Sequence, residues 1–417
     1  MAPRLLLVAT TSWPTPARLA AAFTKLSWHV EALAPARALV RSSRFVDTVH
    51  AYAALAPMDS LQRAIARAGA DLLVPCDDRA VSLLLKLHAK VTRLGDRDVA
   101  GLIARSLGAP EHYGTMMSRA AFLAAAEALD IAVPRTRAIA GEDEFEDALA
   151  GIGPPVVIKA DGSWGGDGVA VACSRDEARA AFRRLSRPVS AARSVLRALR
   201  RHDAHHLAAA LVPVRPRLSM QAFIPGTPAT TSFACWEGEV LSALHFDVVA
   251  SDGKTGPASV VRRTEDPQMA DAARRLARRF GLSGLHGLDF IRDASGAVHL
   301  LEINPRATQT AALALGEGRD LVATLTARVT AGRPAPHTPA IESDLIALFP
   351  QEWRRDPASP HLIAAHHDVP WDDPALLRAC VAEPSKSRLR PWLAKARLAA
   401  ALASLPPGNH HALASER

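Results

Sequence analysis

Leu285-His-Gly-Leu-Asp-Phe-Ile-Arg-Asp-Ala-Ser-Gly-Ala-Val-His-Leu-Leu-Glu-Ile-Asn-Pro-Arg306 is the stretch on which the reading of this chain turns. Two apolar runs, residues 287–291 and 297–303, flank an Asp-Ala-Ser-Gly turn, a pattern that predicts a β-hairpin. Asp289 lies on the first strand. Glu302 and Asn304 lie two residues apart on the second, so their side chains leave the same face. Acidic and amide oxygens on neighbouring strands suit a hard divalent cation such as Mg²⁺. Arg306 follows on that face and adds a fixed positive charge, which points to phosphate chemistry. An ordinary hairpin with solvated charges is the plain alternative. The apolar strands and the single register of the polar groups weigh against it.

A second element lies upstream. Pro154-Pro-Val-Val-Ile-Lys159 is a short apolar strand ending in lysine, and residues 169–173 form another. The loop between them carries Gly162, Ser163, Gly165, Gly166 and Gly168. Its glycines permit positive φ and leave backbone N–H groups bare, so the loop can fold over phosphate oxygens. Lys159 would supply a point charge for an α- or β-phosphate. The Walker and dinucleotide patterns both run into a helix, and this loop runs between strands.

Together with Met220-Gln-Ala-Phe-Ile-Pro-Gly226, these motifs resemble the ATP-grasp superfamily, its carboxylate–amine ligase branch in particular. The resemblance implies an α/β chain of three parts. A Rossmann-like pre-ATP-grasp domain covers residues 1–112. A two-lobed ATP-grasp domain covers 113–330, with a nucleotide-clamping lobe at 113–217 and a metal-holding catalytic lobe at 218–330. A C-terminal extension occupies 331–417. It implies ATP and Mg²⁺, with Mn²⁺ as a substitute. Asp289, Glu302 and Asn304 are the expected metal ligands, and Arg306 and Lys159 the catalytic cations. Arg119, Lys159, the glycine loop and the hinge residues Gln221, Ala222, Phe223 and Ile224 are expected at the nucleotide, the hinge reading adenine through its backbone. Family members usually carry lysine where Arg119 stands. They often carry a ribose-binding glutamate where this chain has Pro228, so Thr227 or Thr230 is the available substitute.

The resemblance also implies activation of a carboxylate as an acyl phosphate and its coupling to an amine, with bicarbonate-using carboxylases and a turnover-deficient regulatory or scaffold protein as the alternatives. Lys254, Arg262 and Arg263 fall in the segment that borders the substrate in relatives. Asp77 and Asp78 follow a strand at the sheet end where open α/β folds place ligands, although helix capping is the commoner role for such a pair. The expected partners are a small carboxylate and an amine, and a homodimer, as relatives often form.

Composition agrees. The 417 residues are 49% hydrophobic and 22% charged, enough for two or three domains with cores of their own. Cys76, Cys173, Cys235 and Cys380 are scattered without a Cys-x-x-Cys pair, which argues against a disulfide framework and for a reducing cytoplasm. No apolar run approaches the length of a membrane span. The net charge is +8 and the pI near 9.8. With only 5% aromatic residues and no recognition motif, that basicity suits anionic small substrates better than nucleic acid. Alternating strands and helices over residues 4–88 predict a parallel sheet. Residues 118–129 open with a serine N-cap and continue as helix. An Arg-rich amphipathic helix is expected within 186–216, a linker at 331–340, and a disordered tail at 405–417.

Overall fold

Leu5 and Leu7 point into one hydrophobic core, and Leu6 and Val8 into another. A strand buried on both faces belongs inside a parallel sheet covered on both sides. The computed structural model describes residues 2–161, 168–187, 216–253, 256–332 and 340–382. It contains that sheet: β1 (Arg4–Val8), β2 (His29–Ala34), β3 (Thr48–Ala51) and β4 (Leu72–Pro75), all parallel, in the order β3-β2-β1-β4. Helices Thr15–Lys25, Pro57–Ala68 and Arg97–Leu107 pack against it. The helix Asp78–Leu94 starts where β4 ends, and its N-cap is Asp77, which accepts from the Ala80 N–H.

A second, four-stranded sheet follows. It contains β5 (Thr136–Ile139), β6 (Val156–Ala160), β7 (Val169–Ala172) and β8 (Leu218–Ala222) in the order β5-β8-β6-β7. Its own small core includes Phe145 of helix Glu142–Ile152, stacked on Phe182 of helix Arg175–Leu185 at 4.4 Å. Because β8 pairs with both β5 and β6, residues 218–222, expected to open the following lobe, belong to this second sheet.

The third sheet has seven strands: β9 (Thr227–Trp236), β10 (Glu239–Ser251), β11 (Ala258–Thr264), β12 (Gly284–Arg292), β13 (Val298–Asn304), β14 (Leu345–Leu348) and β15 (His366–Asp368). Their order is β13-β12-β9-β10-β11-β14-β15. The predicted hairpin is thus β12–β13. The extension after residue 330 supplies β14 and β15 to this sheet, so it is not a separate appendage. Glu352 anchors it: fully buried, it accepts from Ser259 of β11, Ser359 and Arg355. These donors outweigh burial and hold its carboxyl at about 2.

Among the described residues, the four cysteines are free and no helix is long and apolar enough to cross a membrane. Gly162, Ser163, Gly165, Gly166 and Lys254, residues 188–215 of the stretch 186–216 expected to hold a helix, residues 333–339 of the linker expected at 331–340, and the tail at 405–417 lie outside the described residues.

Gly108 joins the first domain to the third sheet through a bridge to Leu282. Its φ is +111°, and a Cβ there would stand 2.4 Å from the Gly281 carbonyl oxygen. Backbone on both sides leaves no flexible atom to give way. Gly108→Ala should therefore cost about 2–4 kcal/mol of stability, read as a lowered urea midpoint.

Candidate active site

The site begins with the pairing of β12 and β13. Asp289 faces Glu302 directly, and Gly287 faces Asn304. The register then slips, so that Phe290 pairs with Leu300 and Leu301 is left over. Such a bulge bends the strand and re-aims the side chains beside it. Gly287 has a spatial reason. A Cβ there would lie 2.3 Å from Cγ2 of Thr308, which packs over the strand beside Asn304.

Two carboxylates directly opposed across a ladder destabilise it. Burial and the neighbouring Glu302 push the Asp289 carboxyl above its ordinary value, and hydrogen bonds from Asn304 Nδ2 (2.8 Å) and Thr230 Oγ1 (3.0 Å) only partly offset that. Burial acts on Glu302 in the same direction. There the cations Lys159, Arg119 and Arg306 win, and its carboxyl is held below the ordinary range. Two carboxylates and an amide oxygen on one face, with one acid disfavoured as an anion, form a donor set that a divalent cation would fit and stabilise.

The cations come from three elements. Lys159 is the fourth residue of β6 and is buried. Desolvation lowers its pKa, while Glu302 and Asp289 pull the other way. Arg119 opens helix Arg119–Glu127, whose N-cap is Ser118. Its Nε and one terminal nitrogen donate to Glu302 Oε2 at 3.1 and 2.8 Å, and the other donates to Asp161 at 3.1 Å. Arg306 donates from Nε to Asp78 Oδ1 (2.9 Å) and from a terminal nitrogen to Asn304 Oδ1 (3.0 Å). The two aspartates after β4 divide the roles expected of them. Asp77 caps its helix and accepts from Thr10 and Thr11, and Asp78 faces the cleft beside Arg306.

At the hinge, the N–H groups of Ala222 and Phe223 donate to Arg135 and Pro155 carbonyls, and Gln221 Nε2 donates to Leu301 O at 3.5 Å. The Ile224 N–H has no partner among the described residues, and Phe223 is exposed. Thr230 is committed to Asp289 and the Leu288 carbonyl, so of the two hydroxyls considered for the ribose only Thr227, exposed at the start of β9, is uncommitted. Gly168 closes the glycine loop by accepting from the Ala160 N–H at 2.8 Å.

Two expected substrate residues are not brought to this cluster. Arg263 pairs with Asp344 of the C-terminal extension at 2.5 Å, and Arg262 is exposed. Both lie on β11, three places from β12 in the sheet, and neither is in contact with the acidic pair or with Arg306. Sequence reasoning missed Asp161 and the apolar side chains Val81, Met116, Met117 and Phe122 that complete the cleft, and named Thr230 only for the ribose, not for its bond to Asp289. Only Asp161 had a signal, its place at the end of the Lys159 strand.

Residues 127–310 match the family model described as the ATP-grasp domain. The match takes in the second sheet and strands β9 to β13 of the third, and assigns an ATP-grasp domain to that part of the chain. Among solved structures, it is similar to N5-carboxyaminoimidazole ribonucleotide synthetase from Thermus thermophilus, at 14% identity over 80% of both chains, TM-score 0.56. It is also similar to the biotin carboxylase domain of 2-oxoglutarate carboxylase from Hydrogenobacter thermophilus. That likeness has 15% identity over 81% of this chain and 72% of the other, TM-score 0.57, and that structure is a complex with MgADP, ADP and bicarbonate. The biotin carboxylase of Campylobacter jejuni matches at 13% identity over 80% and 72%, TM-score 0.55. At such identities the likeness is one of fold. No curated protein matches the chain by sequence.

The charge balance at Glu302 is testable without any ligand. Its lowered pKa means the ionised form contributes stability above about pH 4.5, which is lost as pH falls through the depressed value. Glu302→Gln strands Lys159 and Arg119 but relieves Asp289. For a partly exposed group the net loss at pH 7 should be about 1–3 kcal/mol, shrinking progressively as the pH falls below about 4.5, measured by urea unfolding at pH 7 and at a series of lower pH values.

Proposed function

We propose that this chain is an ADP-forming ligase that activates a carboxylate with ATP and couples it to an amine. The observation that carries the reading is that Glu302, Asn304 and Arg119 line one cleft, with Asp289 bonded to Asn304, Arg306 bonded to Asn304 and Asp78, and Lys159 close enough to Glu302 to hold its charge. A carboxylate resists attack by an amine because oxide is a poor leaving group. Transfer of the γ-phosphoryl of ATP gives an acyl phosphate, from which phosphate departs readily. The carboxylate needs no general base, so positioning and charge neutralisation are the whole task of the phosphoryl transfer; the amine gives up one proton, to solvent or a carboxylate, before it attacks.

Asp289, Glu302 and Asn304 are the residues that would hold Mg²⁺, which supplies neutralisation of the β- and γ-phosphates when bound. Lys159 and the glycine loop fix the triphosphate. Arg119 now sits on Glu302, and the nucleotide phosphates offer it a second anion, so phosphate binding frees Glu302. The Ile224 N–H is free to read the adenine edge. Arg306, held by Asp78, stabilises the transferring phosphoryl group and the oxyanion that forms as the amine attacks. Closure over the cleft keeps water from the intermediate. Amide, ADP and phosphate leave.

A second reading has bicarbonate as the carboxylate, and the bicarbonate-bound Hydrogenobacter structure favours it. The first half-reaction is the same, so one assay separates the two: ADP release with pooled organic acids and amines against bicarbonate and amines. Organic acids are expected to support turnover. Tight MgATP binding without turnover for any pair would instead favour a regulatory or scaffold role. Lys159→Ala and Glu302→Ala should each lower ADP formation by at least about a hundredfold while circular dichroism stays unchanged. Near-full turnover in either variant would remove the site assignment.

A further inference from the structure

Beside Arg306 the cleft has a second half that phosphate chemistry does not use. Its one charge there is Asp78, whose Oδ1 holds Arg306 while Oδ2 has no partner among the described residues. The other acids near it are engaged: Asp77 by Thr10, Thr11 and Ala80, Asp161 and Glu302 by Arg119, and Asp289 by Thr230 and Asn304. Three residues along the same helix, Val81 continues the wall, and Met116, Met117 and Phe122 line the cleft with it. Off the wall opens a recess of about 10 Å³ bounded by Val81, Leu85, Leu107, Met116, Met117 and His286, with room for a methyl group but not a ring. His286 adds no charge to it. The His286 ring bonds the Ser283 carbonyl through Nε2 at 2.7 Å, so that nitrogen carries the hydrogen, and burial lowers its pKa to about 4, which keeps it neutral at pH 7. Methionine side chains adapt to a guest's shape better than branched ones.

We propose that the amine substrate is a primary amine with an apolar substituent, docked as its ammonium ion on Asp78 Oδ2 with the substituent against Val81, Met116 and Met117. This rests on the ligase reading and names the class of its second substrate. An exposed oxygen of a carboxylate rewards a cation, and the neighbouring wall rewards apolar area, at about 25 cal/mol per Å² removed from water. A carboxylate placed here would meet Asp78 as a like charge.

Calorimetric titration of the MgADP-bound protein with benzylamine, benzyl alcohol, methylamine and phenylacetate tests this. Benzylamine should bind at least tenfold tighter than each of the other three. Asp78→Asn should abolish the preference for benzylamine over benzyl alcohol, and Asp78→Glu should retain it. Met117→Asn, at the partly exposed residue of that wall, should bring benzylamine down to the level of methylamine. The proposal fails if benzylamine binds no tighter than benzyl alcohol, if Asp78→Asn keeps the preference, or if phenylacetate binds best, which would assign the wall to the acid. Protein that takes up no MgADP would overturn the ligase reading, and this proposal with it. Uptake of MgADP without a preference among the probes would overturn this proposal alone.

Discussion

Two carboxylates, Asp289 and Glu302, face one another across a β-ladder, and the surrounding structure is arranged around the repulsion between them. A sheet does not ordinarily place like charges there. Every strongly placed cation nearby answers that pair from a different part of the fold. Lys159 comes from the second sheet, Arg119 from a helix between the first domain and that sheet, and Arg306 from the end of the hairpin itself. Removing any of these elements would leave the acids without their counter-charges, so the arrangement of the three sheets is also an electrostatic one.

The same network explains why the cations are held doubly. Arg119 spans Glu302 and Asp161, and Arg306 spans Asn304 and Asp78. A guanidinium is suited to this because its donors diverge in a rigid fork, which a lysine ammonium cannot reproduce. The arginine at position 119, read from the sequence only as a substitute for the family's lysine, therefore does something a lysine would do less well: it closes one edge of the cleft by joining the second sheet to the third. Asp78 does the same for the first domain.

The hairpin, its turn and the placing of its acidic and amide side chains were legible because residues two apart on a strand share a face, which holds for Glu302 and Asn304 on the Asn304 side of the slip in register. The parallel sheet was legible for a similar reason, since Leu5 to Val8 are apolar without alternation. The strands between them were not. Residues 227–264 form three long strands, yet they mix polar Thr, Ser and His with apolar residues. Their buried polar side chains, among them Thr231, Ser232 and His245, are satisfied by partners far off in the sequence. The role of β14 was hidden likewise, because what makes it part of the sheet is a register with β11 more than 80 residues away. Arg262 and Arg263 were singled out by position in the chain alone; that Arg263 pairs with Asp344, 81 residues on, is something no local pattern encodes.

The division of labour between Asp77 and Asp78 shows what a residue-level reading can and cannot decide. Adjacent aspartates after a strand are chemically identical, and the choice between cap and cleft is made by one step of helical rotation. Asp77 sits at the N-cap, where its oxygens meet the Ala80 N–H and the Thr10 and Thr11 groups of the preceding loop. Asp78 is the first helical residue and turns about 100° further round, toward Arg306. One aspartate thus stabilises the helix that carries the other. The acid in the cleft stands at a helix N-terminus beside a guanidinium, and its charge has a favourable partner in each. The cleft therefore presents a fixed negative charge next to an apolar wall, and the ligand it admits there has to match both.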